Sequence, residues 1–184
     1  MTQGECLTRW TIRIALALYV AALLFRFAPC PAQRRPARLL WTAGFVAFLL
    51  HLICAFHFYH HWSHDHAYAV TAVQTEEAIG LRWGGGIYVN HVFAAVWLVD
   101  VLWWWIAPGG YECRPRWVER TVQGFMAFIA FNATVVFGHG AIRWVGLAAT
   151  VLVAGFWLRT VRARSTHPNG PTPPADLADE SPSR

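Results

Sequence analysis

The chain of 184 residues contains no lysine, and only 14% of its residues are charged. Soluble domains usually contain about 25% charged residues, because their surfaces must face water. A hydrophobic content of 56% and a mean hydropathy of +0.34 point in the same direction. The composition therefore excludes an ordinary soluble domain and predicts that lipid is the solvent for most of the chain.

Cysteine is also scarce. The four cysteines, Cys6, Cys30, Cys54 and Cys113, are far apart and form no CxxC pair, which excludes a zinc ribbon and a disulfide framework. The net charge of +5 comes from arginines placed between apolar runs, as is typical of topology signals in membrane proteins. A nucleic-acid partner is not expected, since no basic face with polar or aromatic readers is present.

Apolar runs near the roughly 20 residues needed to cross a bilayer recur along the chain. They predict an all-α, polytopic bundle of about five transmembrane helices within residues 1–164. The predicted spans are residues 11–27, 39–59, 86–106, 121–138 and 141–158. Basic residues after the first run favour a retained anchor over a cleaved signal peptide. Residues 165–184, rich in Pro, Ser and acids, predict a disordered cytoplasmic tail.

The arginines also predict how the helices are oriented. With the N-terminus outside, eleven arginines fall on the inner side and four on the outer side, as the positive-inside rule requires. All tryptophans except Trp97 fall near a predicted membrane boundary, where indole rings prefer to lie. We therefore expect a multi-pass protein of a bacterial inner membrane with its C-terminus in the cytoplasm. Its partners would be the lipid bilayer and, as an open possibility, a membrane protein complex.

Seven of the nine histidines are predicted to lie on the outer side. The longest outer loop, residues 60–85, should hold a short helix that Ser63 or Asp65 caps and Gly80 ends. If the second span continues as a helix, His57 with His61 and His60 with His64 form two i, i+4 pairs, each able to chelate a metal ion. The candidate ligands are His57, His60, His61, His64, His66, Asp65, Glu76 and Glu77. Imidazole with carboxylate suits a zinc, copper(II) or iron ion.

Simpler interpretations of the same loop stay open. A histidine at a membrane boundary is often only an amphipathic interfacial side chain, and no HExxH motif is present. Glu76 and Glu77 either bind a cation or pair with Arg82 or a protonated histidine. The glycines at 84–86 lack the lysine and Ser/Thr of a phosphate loop. They are instead expected to let the backbone pack closely against the histidine loop.

Haem b is the alternative cofactor, because membrane cytochromes hold haem between histidines of different helices. His57, His91 and His139 fall on three predicted spans at similar outer depth, and His51 is a deeper alternative. Such a bundle broadly resembles the membrane anchors of succinate and fumarate dehydrogenases, which implies electron transfer to a partner. The first span contains no histidine, which departs from a two-haem arrangement.

Besides histidines, four polar residues are predicted inside the spans, namely Asp100, Asn90, Gln123 and Asn132. A carboxylate in a bilayer is costly and usually faces the bundle interior. We expect Asp100 to be protonated or to pair with an arginine of the inner loop, and thereby to fix helix packing. The alternative is a proton path through His51 and Asp100, which differ in predicted depth by roughly 7–8 Å.

The segment HHWSHDHAYAVTAVQTEEAIGLRWGGGIYVNH, residues 60–91, resembles a block in small, uncharacterised multi-pass membrane proteins of bacteria. The resemblance covers about a sixth of the chain and implies a membrane protein without a specified activity. No nucleophile with its base stands out, so a hydrolase is not predicted and enzymatic activity stays open. Three functions remain: a metal-binding membrane protein, a b-type cytochrome subunit and a cofactor-free accessory subunit.

Overall fold

The computed structural model describes residues 2–27, 33–136, 140, 143–144 and 146–155. These residues are 88% helical and contain no strand. The helices are α1 (Gln3–Phe27), α2 (Arg34–Phe58), α3 (His64–Ile79), α4 (Gly86–Ile106), α5 (Pro108–Glu112), α6 (Arg116–Phe131) and α7 (Gly146–Gly155). A π-helical turn, Asn132–Val136, continues α6.

Helices α1, α2 and α4 are long and apolar enough to cross a membrane, which confirms an all-helical fold with three candidate membrane spans among the described residues. The bounds of α4 are those predicted, whereas α1 begins eight residues before the predicted span. That early start has a local cause, because the Thr2 hydroxyl accepts from the Glu5 N–H and the Glu5 carboxylate accepts from the Thr2 N–H. This reciprocal pair is a capping box.

The predicted fourth and fifth spans correspond to α6 with its π-helical turn and to α7. Helix α7 is apolar, whereas α6 carries Arg116, Glu119 and Arg120 in its first turns. The described parts of both are shorter than the three long helices. The predicted tail, residues 165–184, lies outside the described residues, as do parts of both of these spans.

Helix α2 packs against α1 and α4 and runs antiparallel to both. Nδ1 of His51 lies 3.0 Å from the carbonyl oxygen of Thr8, so the start of α1 lies beside α2 near its end. The indole N–H of Trp105 donates to Thr42 at 2.9 Å, so the end of α4 lies beside the start of α2. The bundle thus has two ends. We call the end with the α2–α3 turn and the start of α4 the histidine face, and the opposite end the arginine face.

Aromatic rings fill the space between α1, α2 and α4. Trp97 is only 2% exposed, and its ring centroid lies 5.2 Å from Trp41, 6.0 Å from Tyr19 and 5.4 Å from Phe93. Aromatic pairs at such separations add roughly 0.5–1.5 kcal/mol beyond the burial of their area. Trp41, which is predicted to lie near a membrane boundary, is buried against Trp97. Packing between helices therefore holds this indole in place.

Asp100, in the second half of α4, forms a buried ion pair. Nη1 of Arg114 lies 2.6 Å from one carboxylate oxygen, and the two side chains are 2% and 3% exposed. Tyr111 donates to the other carboxylate oxygen at 2.8 Å. Of the two expectations for Asp100, the structure therefore contains the ion pair with an arginine of the following loop.

The network around Asp100 joins four helices at the arginine face. The Tyr111 hydroxyl accepts from Arg26 at 2.9 Å, and Arg26 also pairs with Glu119 at 3.0 Å. The ring of Tyr111 stacks on Trp104 with centroids 4.7 Å apart. Burial raises the pKa of Tyr111, and the Asp100 carboxylate raises it further. The positive charge of Arg26 lowers this pKa, but by less than burial raises it. The phenol therefore stays protonated and keeps donating to Asp100.

Replacing Arg114 by methionine should lower the free energy of unfolding by about 3–5 kcal/mol, because Asp100 would be left buried without its cation. Arg34→Met is the control, since it removes an exposed pair with Glu112 whose contribution should be at most about 1 kcal/mol. The double variant Asp100→Leu with Arg114→Met should be less destabilised than Arg114→Met alone. Unfolding by denaturant in detergent micelles measures all three. Equal losses in Arg114→Met and Arg34→Met would contradict the assignment.

Candidate functional site at the histidine face

Helix α2 ends at Phe58, three residues before His61, and the chain then makes a tight turn. His61 and Trp62 have φ values of 48° and 60°, a left-handed conformation that is uncommon for residues with a Cβ. The second span therefore does not continue as a helix past this point. The predicted i, i+4 pairing of His57 with His61 and of His60 with His64 is wrong, because the members of each pair do not share one helical face.

The short helix predicted in the outer loop is α3, and its ends are those predicted. The Ser63 hydroxyl accepts from the N–H of His66 at 3.2 Å, and Gly80, with a φ of 75°, ends the helix. A Cβ on Gly84 would clash with the carbonyl oxygen of Tyr68. The glycines after α3 thus allow the close backbone packing that the sequence predicts.

Four histidines, which we call the histidine cluster, lie in two pairs on this face. The ring centroids of His60 and His66 are 5.7 Å apart, and those of His64 and His91 are 6.2 Å apart with nearly parallel planes. Phe56 contacts His60 at 5.6 Å and His91 at 6.3 Å. The folding back of α3 therefore brings histidines of the loop against the first turns of α4.

A cavity of about 440 Å³ adjoins one of these pairs, and it is lined by His64, Asp65, Tyr68 and Tyr88. The ring of Tyr88 lies 5.5 Å from that of His64. Nδ1 of His91 is 2.7 Å from the carbonyl oxygen of Ile87. Because a carbonyl oxygen only accepts, Nδ1 carries a proton, and in the neutral ring the lone pair for a ligand is therefore on Nε2.

The predicted haem ligands are not gathered in one place. The ring of His57 contacts Trp62, His91 belongs to the histidine cluster, and His51 is bonded to a backbone carbonyl of α1. His139 lies outside the described residues. In the described ranges, no ring contact joins any two of these histidines.

The acids predicted as ligands lie mostly far from the histidines. Glu76 is near the end of α3, about 18 Å along the helix from His64, and its carboxylate lies 3.8 Å from Arg82. Glu77 follows it and is exposed. Of the two expectations for these acids, the structure contains the pair with Arg82, and Asp65 is the acid that lies beside the histidine cluster.

The part of the chain that the structure describes contains no group of three or more His, Cys, Asp or Glu side chains placed to hold a metal ion. The predicted site with many ligands is therefore absent from it. The histidine cluster instead offers pairs of imidazoles, which supply at most two nitrogen ligands per ion.

The remaining polar residues do not form a shared site. His51 is bonded near the histidine face, whereas Asp100 is engaged by Arg114 at the arginine face, so the proposed proton relay has no direct contact. Asn90 is exposed on the first turns of α4. Asn132 donates to the Phe128 carbonyl at 2.7 Å, where α6 passes into the π-helical turn.

Three aromatic residues of this face, Phe56, Tyr68 and Tyr88, are not singled out by the sequence pattern. Tyr88 precedes His91 by three residues on α4, so helical spacing is a signal that could have found it. Phe56 and Tyr68 depend on how α3 folds back, which no local pattern encodes. Comparison of the chain with protein-family models, with curated proteins and with solved structures finds no match.

The start of α3 should loosen in acid because of His60. Burial, and to a lesser extent the charges of His66 and His61, lower the pKa of His60. As the pH falls, His60 in the unfolded turn is therefore protonated first, near the ordinary histidine pKa of about 6.5. The folded turn keeps its full stability above that pH and loses stability as the pH falls below it.

Amide hydrogen exchange in the first turn of α3, corrected for intrinsic rates, should be faster at about pH 5 than at about pH 7.5. His60→Phe should remove much of this pH dependence, and His57→Phe, at an exposed position, should retain it. An unchanged pH dependence in His60→Phe would show that another group is responsible.

Proposed function

We propose that the protein is a five-span protein of a bacterial inner membrane whose outer, histidine face binds zinc or copper(II) through His64 and His91. The observation that supports this most is that these two rings, which come from different helices, lie 6.2 Å apart with nearly parallel planes. The hydrogen bond from His91 Nδ1–H to a carbonyl adds to it. Histidines that bind metals typically donate their second ring N–H in this way, which fixes the ring and leaves the other nitrogen for the ion.

The distance between the rings suits a bound ion after a small adjustment. With zinc–nitrogen bonds of about 2.0–2.1 Å, two imidazole centroids on one ion lie at most about 6.4 Å apart, and about 5 Å apart in a tetrahedral site. The observed separation is 6.2 Å. His64 is exposed, so its side chain can turn toward His91 without moving a helix.

An ion held in this way would exchange readily. Two protein nitrogens leave the other coordination positions to water, and Asp65 lines the same cavity as His64. Structural zinc sites are closed by four protein ligands. The site therefore fits a protein that captures or senses a metal ion at the membrane surface rather than one that needs the ion to fold.

The orientation rests on the arginines. The end of α1, the start of α2 and the loop after α4 carry Arg26, Arg34, Arg35, Arg38 and Arg114 at one end of the bundle. The positive-inside rule assigns that end to the cytoplasm and the histidine face to the outside. With α6 and α7 as the fourth and fifth spans, the C-terminus is cytoplasmic.

Replacing His64 or His91 by alanine should weaken the binding of Zn²⁺ at least about tenfold, because each change removes one of two nitrogen ligands. His57→Ala is the matched control, since His57 is an exposed histidine of the same face outside the cluster. Isothermal titration of untagged protein in detergent with Zn²⁺ or Cu²⁺ measures the affinity.

Equal losses in His57→Ala and His91→Ala would contradict the assigned ligands. If the wild-type protein binds neither ion, the hypothesis of a cofactor-free accessory subunit is favoured. A Soret band that disappears in His91→Ala would instead support the cytochrome.

The orientation is tested with a membrane-impermeant thiol reagent on intact spheroplasts. A variant whose only cysteine is Cys113, which is exposed at the arginine face, should react only after the membrane is permeabilised. A variant without native cysteines that carries Glu77→Cys on α3 should react without permeabilisation. The reverse pattern would place the N-terminus in the cytoplasm.

A further inference from the structure

A second cavity, of about 1020 Å³, lies between α1, α6 and α7. Its walls are mostly small and apolar, with Ala17, Ala21, Gly124, Ala127 and Ala149 among its lining residues. On α1 it extends from Arg13 to Leu24, eleven residues or about 16 Å along the helix. This length is close to the roughly 15 Å of hydrocarbon in one leaflet of a bilayer.

Two buried polar side chains in this cavity have no partner within the described residues. Both amide atoms of Gln123 and the hydroxyl of Tyr19 are buried without a hydrogen bond there. The ion pair between Arg26 and Glu119 sets the register of α1 and α6. Gln123 lies about 6 Å and Tyr19 about 10 Å from the level of that pair. An occupant with hydrogen-bonding atoms at this depth would satisfy groups that an alkyl chain alone would leave unpaired.

A positive charge lies at the arginine-face end of the same cavity. Arg120 lines it one turn, or about 4–5 Å, before Gln123. Among the described residues Arg120 forms no ion pair, whereas Arg26, Arg34 and Arg114 each pair with an acid. From its arginine-face end the cavity thus presents the guanidinium of Arg120, then an amide, then an apolar groove. Arg13 lines the opposite end, where its guanidinium lies over the ring of Trp10.

We propose that this cavity binds an anionic glycerophospholipid. The phosphate lies at Arg120, where guanidinium and phosphate form charge-assisted hydrogen bonds. One ester carbonyl accepts from the amide of Gln123 one turn deeper, and an acyl chain occupies the groove between α1, α6 and α7. Basic pockets between transmembrane helices bind such headgroups in general. A zwitterionic lipid offers the same ester carbonyls and chains but no net charge, so the preference for an anionic lipid depends on Arg120.

The charge is tested with protein in detergent given an equal mixture of phosphatidylglycerol and phosphatidylcholine with the same acyl chains. Native mass spectrometry measures how much of each lipid stays bound. The wild type should retain phosphatidylglycerol in preference, and Arg120→Gln should lower that preference roughly fivefold. Arg116→Gln is the matched control, because Arg116 is exposed on the same helix and does not line the cavity. It should behave like the wild type.

The groove is tested separately by filling it. A Cβ on Gly124 would meet nothing within 4 Å, so Gly124→Leu should occupy the cavity without strain and lower the retention of both lipids. Gly155→Leu is the control, because that position is equally open and lies outside the cavity lining. Circular dichroism and size-exclusion chromatography verify that each variant is folded.

Three outcomes would overturn the proposal. The first is a wild type that retains both lipids equally or retains neither of them. Retention of neither lipid is expected if other residues of the chain fill the groove. The second is an equal loss of preference in Arg116→Gln and Arg120→Gln, which would indicate a general basic surface. The third is unchanged lipid retention in folded Gly124→Leu. None of these results depends on whether the histidine face binds a metal ion.

Discussion

The carboxylate of Asp100 is the constraint on which the arginine face depends. A charge buried this deeply must have a partner, and the partner is Arg114, which follows α5 in the chain. The chain must therefore turn back directly after α4, and it does so through α5, which begins at Pro108. Tyr111 of that turn donates to the same carboxylate. The position of α5 thus follows from the need to satisfy one acid, rather than from the apolar pattern of the chain.

The same constraint determines where α6 begins. Tyr111 accepts from Arg26 at the end of α1, and Arg26 reaches Glu119 on the first turn of α6. The bonds from Asp100 through Tyr111 and Arg26 to Glu119 therefore connect α4, α5, α1 and α6. The histidine face has no comparable buried charge among the described residues. It depends on a helix cap, on close packing at a glycine and on ring contacts near water, so it can adjust to protons or ions more readily.

The features that the sequence predicts correctly are those with local causes. The bounds of α4 follow from its apolar length, and the ends of α3 follow from Ser63 and Gly80. The histidine pairing is wrong because two left-handed residues, at 61 and 62, end the helical spacing on which it relied. The contact of His64 with His91 depends on the direction in which α3 returns. That direction is set by packing between residues distant in sequence, as is the burial of Trp41.

The bundle is unevenly packed, and its loosely packed part is the part proposed to bind a phospholipid. Within a bilayer, helices associate through close packing and hydrogen bonds, because lipid tails are as apolar as the side chains. Aromatic rings supply that packing between α1, α2 and α4, whereas α1, α6 and α7 enclose a cavity. Small side chains line that cavity, and Gln123 lies in it without a partner among the described residues. A phospholipid in this space would complete the packing of α6 and α7 against α1, in the part of the bundle that the aromatic rings do not fill.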